Sequence, residues 1–185
     1  MNGQALAGRD IPVDIEIRQA NRYDIASLMD LVRACILKMQ AQGIDQWDER
    51  YPDRETIQRD VDDGTVFVAR IAGVIAGMAT LNEHQSPEYA DVAWRFSGRP
   101  GVIHRLMVAP AAEGTGVARA LLRFLETRGE SIGCNCIRLD VFVRNPRAVR
   151  FYELASYQRA GQVKFRKGNF YCYEKILGTP VDSCP

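Results

Sequence analysis

Residues 102–118, which read VIHRLMVAPAAEGTGVA, decide the fold of this chain. The run begins as a continuous strand-like segment, Pro110 turns the chain, and Gly114 and Gly116 lead into a helix. The first turn of a helix leaves backbone N–H groups without intrahelical partners, and the helix dipole adds partial positive charge. Glycine lets a phosphate approach the backbone without a Cβ in the way. The stretch therefore predicts a strand, an anion-binding loop and a helix, with Arg119 as an additional cationic donor.

Three other interpretations of the two glycines compete with this one. A P-loop ends in Gly-Lys-Ser/Thr, which is absent here. A dinucleotide fingerprint needs Gly or Ala three residues after its second glycine, where this chain has Arg119, and it should open an early strand-turn-helix unit. The simplest alternative is a tight turn that binds no ligand.

Outward from this stretch, hydrophobic periodicity predicts alternating strands and helices. The chain should contain a strand over 13–17, a helix from the cap Asn21 to near Gly43, a short helix over 53–61, a hairpin over 65–81, a strand over 102–108, a helix after Gly116, a strand over 136–143, a helix from Pro146 capped by Asn145, and a hairpin over 158–176. The connection 84–101 is polar, with a short strand or turn near 92–96. This order predicts a mixed α/β domain whose parallel unit runs from 102 to 143.

The bulk composition is that of one globular domain. The 185 residues include 46% apolar and 25% charged residues, which fits a single domain over 13–178 between a loose leader, 1–12, and a loose tail, 179–185. The formal net charge of +1 gives no electrostatic footprint for nucleic acid or an anionic membrane. No run of about 18 apolar residues and no signal-peptide core occur, so we expect a cytoplasmic protein.

The five cysteines predict free thiols rather than a disulfide framework. Their odd number is typical of a reducing compartment; they are Cys35, Cys134, Cys136, Cys172 and Cys184. One C-x-C pair has no second pair nearby, and His84 and His104 are too far apart for zinc-ligand spacing. We therefore expect no metal.

Two motifs together resemble a known family. Residues 114–118, Gly-Thr-Gly-Val-Ala after a strand and a proline, resemble the acetyl-CoA signature of the Gcn5-related N-acetyltransferase (GNAT) superfamily. That signature is Gln or Arg, two residues, Gly, one residue, and Gly or Ala. Gly116 and Ala118 fill its last two places, and Glu113 stands in the first. This departure brings a negative charge towards a pyrophosphate.

The second motif, residues 145–152 with the sequence NPRAVRFY, resembles the family's Asn-x-x-Ala-x-x-Phe-Tyr segment. The resemblance covers about residues 14–177. It implies the acyl-CoA N-acyltransferase fold, a twisted and mostly antiparallel sheet with one parallel strand pair and about four helices, and it leaves a homodimer as a candidate assembly. It also implies transfer of the acetyl group of acetyl-CoA to a primary amine of a small molecule or peptide by direct attack. The rival hypotheses are an acetyl-CoA sensor or regulatory module without turnover, and a nucleotide-binding protein that uses the same glycines.

The resemblance also implies which residues bind acetyl-CoA: Leu106, Met107 and Val108 along the pantetheine arm, Glu113, Gly114, Thr115, Gly116, Val117, Ala118 and Arg119 around the pyrophosphate, and Asn145, Ala148 and Tyr152. Tyr152 matches the tyrosine that often acts as general acid in this family. A phenol is protonated at pH 7 and can protonate a departing thiolate. The alternative for Tyr152 is a packed aromatic with a satisfied hydroxyl.

Three candidates remain for the general base. Many relatives use a glutamate on the strand before the loop, and residues 101–105 contain no carboxylate. His104 should share a strand face with Leu106 and titrates near neutrality, although it can equally be structural. Glu83, at the end of the preceding hairpin strand, is the second candidate, and a chain of waters is the third.

The acceptor amine should be recognised by residues 43–51 (loop 43–51), which follow the first helix, and the long connection 84–101 is the other candidate wall of its pocket. Trp47 and Tyr51 are predicted to wall the acceptor pocket, and the acidic residues of the loop, Asp45, Asp48 and Glu49, to attract a cationic amine. The alternative is a solvated acidic loop with Trp47 in the core.

Overall fold

A seven-stranded sheet with four helices forms the protein, whose computed structural model describes residues 14–178. The strands are β1 Glu16–Gln19, β2 Val66–Ile71, β3 Val74–Asn82, β4 Pro100–Val108, β5 Cys136–Phe142, β6 Gln158–Phe165 and β7 Gly168–Ile176. The helices are α1 Ile25–Ala41, α2 Arg54–Asp62, α3 Val117–Ser131 and α4 Pro146–Leu154. The predicted order of elements is confirmed. The predicted leader, including Val13 of the first strand, and the predicted tail lie outside the described residues.

The sheet order is β1-β2-β3-β4-β5-β7-β6. Only β4 and β5 pair in parallel, through α3, and every other neighbouring pair is antiparallel. The mixed, mostly antiparallel sheet with one parallel pair is thus confirmed. The parallel ladder ends at Val102↔Arg138, although both strands continue beyond it. β4 and β5 therefore separate along the rest of their length.

The two faces of the sheet carry different helices. Alternate residues of a strand point to opposite faces, and β2 divides accordingly: Val66 and Val68 pack with α1 and α2, whereas Phe67 packs with the residues of α3 and α4. We call these the α1 face and the α3 face. The connection between β3 and β4 also covers the α1 face, where buried Tyr89 packs beside Val102.

Side-chain caps begin the helices where the sequence predicts them. Asn21 accepts a hydrogen bond from the Tyr23 N–H and opens a 3-10 turn, Arg22–Asp24, that runs into α1. Asn145 accepts from the Ala148 N–H at 3.1 Å and begins α4. In the connection after β3 a 3-10 turn covers Pro87–Asp91, and of the predicted strand or turn near 92–96 the turn is found, where the Trp94 N–H donates a hydrogen bond of 2.8 Å to the Val92 C=O.

A β-bulge at Arg105 changes the direction of the side chains along β4. Arg105 has a positive φ of 51°, and the register with β3 shifts beside it. His104 lies opposite Thr80, whose hydroxyl donates to Asp60 on α2, so His104 lies on the α1 face. Leu106 packs on the α3 face instead. The expectation that His104 and Leu106 share a face is therefore corrected, because the bulge interrupts the alternation.

The four described cysteines are buried and unpaired, which confirms the prediction of free thiols for Cys35, Cys134, Cys136 and Cys172. Cys184 lies outside the described residues. Within residues 14–178 no helix has the length and apolar character needed to cross a bilayer.

Candidate active site

A cavity of about 260 Å³ opens where β4 and β5 separate. Its walls come from α1, loop 43–51, β4, β5 and α4. In the described chain β4 has no ladder partner on its β5 side beyond Val102. The backbone N–H and C=O groups that point to this edge are therefore available to a ligand that runs beside the strand, apart from the Val108 C=O, which accepts a hydrogen bond of 3.3 Å from Cys35 Sγ.

Most of the predicted acetyl-CoA-binding residues meet at this cavity. Eight of them line it: Leu106, Met107, Val108, Glu113, Ala118, Asn145, Ala148 and Tyr152. The other five are not among the lining residues and belong to the adjoining loop and the first turn of α3: Gly114, Thr115, Gly116, Val117 and Arg119. Val117 is a core residue, 1% exposed.

The glycine loop, residues 113–118, leaves its backbone open. Gly114 and Gly116 have φ values of 81° and 92°, a region that glycine adopts without steric cost. A Cβ at either position would meet no atom within 4 Å. Gly116 immediately precedes α3 and supplies no capping side chain. Among the described residues no backbone carbonyl accepts a hydrogen bond from the N–H groups of Gly116, Ala118 and Arg119, so the start of this 15-residue helix keeps free donors, as an anion site requires.

Glu113, the departure from the family signature, is neutralised by a neighbouring arginine. The carboxylate Oε2 lies 2.7 Å from Nη1 of Arg147, on the first turn of α4. Both side chains line the cavity. The pair offsets the negative charge that Glu113 would otherwise present to a pyrophosphate.

Tyr152 lies in the α4 wall of the cavity and is 8% exposed. Burial, with the nearby carboxyl of Asp140 as a smaller cause, raises the pKa of the phenol well above its usual value. Its ring packs edge-on against Phe151 and Tyr157. Among residues 14–178 no hydrogen bond from its hydroxyl is found. Tyr152 is thus a protonated phenol whose hydroxyl is free to bond a ligand.

Asn145 is held by two protein hydrogen bonds. Besides capping α4 through Ala148, its Nδ2 donates to Oε1 of Gln46 at 3.1 Å. The side chain therefore ties loop 43–51 to the start of α4. Its predicted contact with the pantetheine arm or a water stays a prediction.

The two candidate bases lie away from the cavity lining. His104 shares a hydrogen bond of 3.0 Å with Asn82, and burial lowers its pKa to about 3, so the ring is neutral. Glu83 accepts two hydrogen bonds from Arg99 at 2.6 and 2.7 Å, which lower the pKa of its carboxyl. His104 lies on the separated part of β4, but neither His104 nor Glu83 is among the residues that line the cavity.

Trp47 and Tyr51, the residues predicted to wall the acceptor pocket, are placed differently. Trp47 lines the cavity while packing against the α1-face core. Tyr51 is not among the lining residues, and its hydroxyl accepts a hydrogen bond of 2.7 Å from Arg105.

Two of the three acidic residues of loop 43–51, Asp45 and Asp48 but not Glu49, are paired with the turn between β6 and β7. Lys167 lies 2.6 Å from Asp45 and 2.7 Å from Asp48. Arg166 donates two hydrogen bonds to Asp48 at 2.8 and 2.9 Å. These bonds lower the pKa of Asp48 strongly. Asp45 and Asp48, expected to attract a cationic amine, instead fix the loop to this turn.

Asp140, in the middle of β5, also lines the cavity, and the sequence analysis did not identify it. Tyr89 donates a hydrogen bond of 2.9 Å to its Oδ2. Burial raises the pKa of Asp140 from 3.8 to about 6. The available signal was a lone carboxylate inside an apolar strand, between Leu139 and Val141.

Across residues 14–178 no cluster of three or more His, Cys, Asp or Glu side chains is arranged to hold a metal ion.

A family model described as "Acetyltransferase (GNAT) family" matches residues 28–156, a span that includes both the glycine loop and the Asn145 motif. The chain belongs to the GNAT acetyltransferase family. As a member of this GNAT family it is an acetyl-CoA-dependent acyltransferase. A search of curated protein sequences found no match.

Solved structures share the GNAT fold at low sequence identity. A GNAT-family acetyltransferase from Streptococcus agalactiae 2603 is 24% identical with a TM-score of 0.80, covering 89% of this chain and 96% of that one. The yncA protein of Salmonella typhimurium, solved with its cofactor acetyl-CoA, is 21% identical with a TM-score of 0.67, covering 92% and 99%. The ribosomal-protein-S18-alanine N-acetyltransferase of Escherichia coli is 14% identical with a TM-score of 0.68, covering 93% and 99%.

The residues of this GNAT chain fit acetyl-CoA. A bound pyrophosphate would meet an open glycine loop at a helix N-terminus, and an extended arm would meet an unpaired strand edge. Both features adjoin the same cavity, which also reaches Trp47 and Asp140.

Proposed function

We propose that this enzyme acetylates a primary amine of a small molecule or peptide by direct attack of the amine on acetyl-CoA. The observation that carries the proposal is the gap between β4 and β5, because one cavity joins the glycine loop to loop 43–51 through it. Two reactants that enter from different sides can then meet without passing each other. Among the neighbours, the name of the S18-alanine N-acetyltransferase gives an example of a protein amine as acceptor.

Three parts of the chain bind and orient the cosubstrate in this proposal. The free N–H groups of Gly114, Gly116 and Ala118 hold the pyrophosphate, and Arg147 neutralises Glu113 at its rim. The unpaired edge of residues 106–108 holds the pantetheine arm and donates N–H groups to the acetyl carbonyl. Acetyl-CoA supplies the activated thioester, and these groups place it beside Tyr152.

Tyr152 is the proposed general acid. Its raised pKa keeps the proton on the phenol until a strong base draws it away. The thiolate that leaves in this cavity is such a base, because burial raises thiol pKa values as well. Cys35, a thiol that lines the same cavity, shows the effect, since burial raises its pKa to about 11.

The experiment combines acetyl-CoA binding with release of free thiol in the presence of amines, polyamines, amino acids, aminoglycosides and peptides. Turnover with one class would establish the activity and the acceptor class together. Binding without release from any acceptor would favour the sensor hypothesis, and absence of binding would refute the proposal. A cytoplasmic location and homodimer formation stay predictions.

A matched pair of glycine variants tests the loop itself. Gly116→Val should weaken CoA binding by about a hundredfold, because the side chain fills the space through which a phosphate approaches. Gly178 is the control, since it also has a positive φ, 76°, and open surroundings. Gly178→Val introduces comparable backbone strain far from the cavity and should leave binding unchanged. Equal effects of the two variants would show that the loop is only a turn.

A further inference from the structure

The proposed reaction needs a group that removes a proton from the acceptor amine. Among the described residues the carboxylates that line the cavity are Glu113 and Asp140. Glu113 is paired with Arg147 beside the glycine loop, at the cosubstrate end of the cavity. Asp140 is therefore the lining carboxylate that remains for the acceptor.

The register of the sheet places Asp140 on the acceptor side. It lies opposite Cys172 of β7, which packs with Tyr89 and Val102 on the α1 face. Its chain neighbours Leu139 and Val141 pack on the opposite face, together with Tyr152. Asp140 and Tyr152 thus approach the gap from opposite faces of the sheet.

One oxygen of Asp140 is held and the other is left for a ligand. The buried Tyr89, 3% exposed, donates to Oδ2, and its own backbone C=O accepts a hydrogen bond from Trp94 Nε1 at 3.0 Å. In the part of the chain that the structure describes, no hydrogen bond to Oδ1 is found, and this atom is not among the buried polar atoms without a partner. Oδ1 therefore keeps access to the cavity while Tyr89 fixes the carboxylate.

We propose that Asp140 is the general base of this enzyme and that Tyr89 is its positioning residue, an inference that rests on the proposed function. The amine nitrogen bonds to the acetyl carbon as the carbon–sulfur bond breaks. The nitrogen's proton passes to Oδ1 of Asp140, and the hydroxyl proton of Tyr152 passes to the sulfur. The products are an amide and a free thiol. Asp140 then returns its proton to water, and Tyr152 takes one up.

The charges around Asp140 suit this role. Burial raises its pKa to about 6, the charge of Glu88 adds to the rise, and the Tyr89 hydrogen bond and Arg105 oppose it. The other titratable neighbours, Cys172 and Tyr152, have raised pKa values of their own and are neutral at pH 7. The carboxylate is thus ionised at pH 7 yet more basic than an exposed aspartate, as a general base requires.

Three variants of the full chain test the inference: Asp140→Asn, Tyr89→Phe and, as control, the exposed Asp91→Asn from the same connection as Tyr89. Asp140→Asn should lower kcat by about a hundred- to ten-thousandfold with acetyl-CoA affinity unchanged. The acid limb of kcat/KM, with its midpoint near pH 6 in the wild type, should disappear. Tyr89→Phe should move this limb to higher pH. The hydrogen bond from Tyr89 lowers the pKa of Asp140 in the wild type, and its removal raises that pKa. Asp91→Asn should match the wild type.

A readout without cosubstrate accompanies the kinetics. The carboxyl ¹³C shift of Asp140 in the free enzyme should titrate near pH 6, and Tyr89→Phe should raise this midpoint. An Asp140→Asn variant that binds acetyl-CoA and keeps both its kcat and its acid limb would overturn the inference alone. A wild-type enzyme that binds acetyl-CoA but acetylates no amine would overturn the proposed function and this inference with it.

Discussion

Replacing Asp140 by asparagine is expected to stabilise the fold at neutral pH. The wild-type protein keeps a carboxylate charged in a mostly buried position, and asparagine removes that charge at nearly constant volume. The asparagine oxygen can still accept the hydrogen bond from Tyr89. A residue proposed to serve catalysis would thus lower the stability of the protein that carries it.

The magnitude follows from the pKa of Asp140, which is about 6 in the folded protein against a usual value of 3.8. At 1.36 kcal/mol per unit this difference corresponds to about 3 kcal/mol. The pKa of Asp140 is higher in the folded than in the unfolded protein. Its contribution to the free energy of unfolding is therefore fully present below pH 3.8, where the carboxyl is protonated, and is lost as the pH rises through 6 and the carboxylate becomes charged. The gain from Asp140→Asn should therefore approach about 3 kcal/mol at pH 7.5 and fall to about 1 kcal/mol at pH 4.5. Because the Asp140 carboxylate has access to the cavity, both of these gains in stability are upper values.

The assay is urea unfolding of the wild type, Asp140→Asn and the exposed control Asp91→Asn at pH 7.5 and pH 4.5. For a chain of this length a gain of about 3 kcal/mol also raises Tm by about 6–12 °C. The control should follow the wild type at both pH values. A variant that is less stable than the wild type at pH 7.5, or equally stabilised at both pH values, would refute the reasoning.

Three further predictions concern the acid, the cavity rim and the core. Tyr152→Phe should lower kcat about ten- to a thousandfold without changing acetyl-CoA affinity, whereas Tyr157→Phe, whose hydroxyl bonds Glu126 away from the cavity, should keep kcat; equal losses would argue against the acid role. Arg147→Ala should weaken acetyl-CoA binding about two- to fivefold in calorimetry, because it uncovers Glu113 beside the pyrophosphate, and adding Glu113→Gln should restore the affinity. Leu125→Ala, at a position 0% exposed, should lower the free energy of unfolding by about 2–5 kcal/mol in urea; a loss below about 1 kcal/mol would mean that the site collapses around the missing side chain.

Local sequence signals predicted the elements but not the bulge. Asn21, Asn145 and Pro146 mark helix starts by their own chemistry, and the two hairpins are visible as paired β-rich runs. The direction of His104 depends instead on the register between β3 and β4. A one-residue shift in register reverses the face of every later side chain, so the periodicity of β4 alone placed His104 beside Leu106.

The residues of the site that could not be predicted depend on contacts between distant segments. Asp140 stands within a correctly predicted strand, but its environment comes from Tyr89, 51 residues earlier in the chain. Asp48 is neutralised by Arg166, 118 residues later. The cosubstrate side could be recognised because its residues form two short continuous motifs. The proposed acceptor side is assembled from separate segments and has no comparable local pattern.

The ion pairs between loop 43–51 and the β6–β7 turn couple these two segments, so that both together should determine which amine the enzyme accepts. Asp45, Asp48, Arg166 and Lys167 hold each other beside the proposed acceptor site. Changing the charge of one segment alone would leave an unpaired partner at the pocket and detach the loop from its support. Redesign of this enzyme for another amine should therefore exchange both segments together, and in natural relatives the two should vary in concert while the cosubstrate motifs stay as they are.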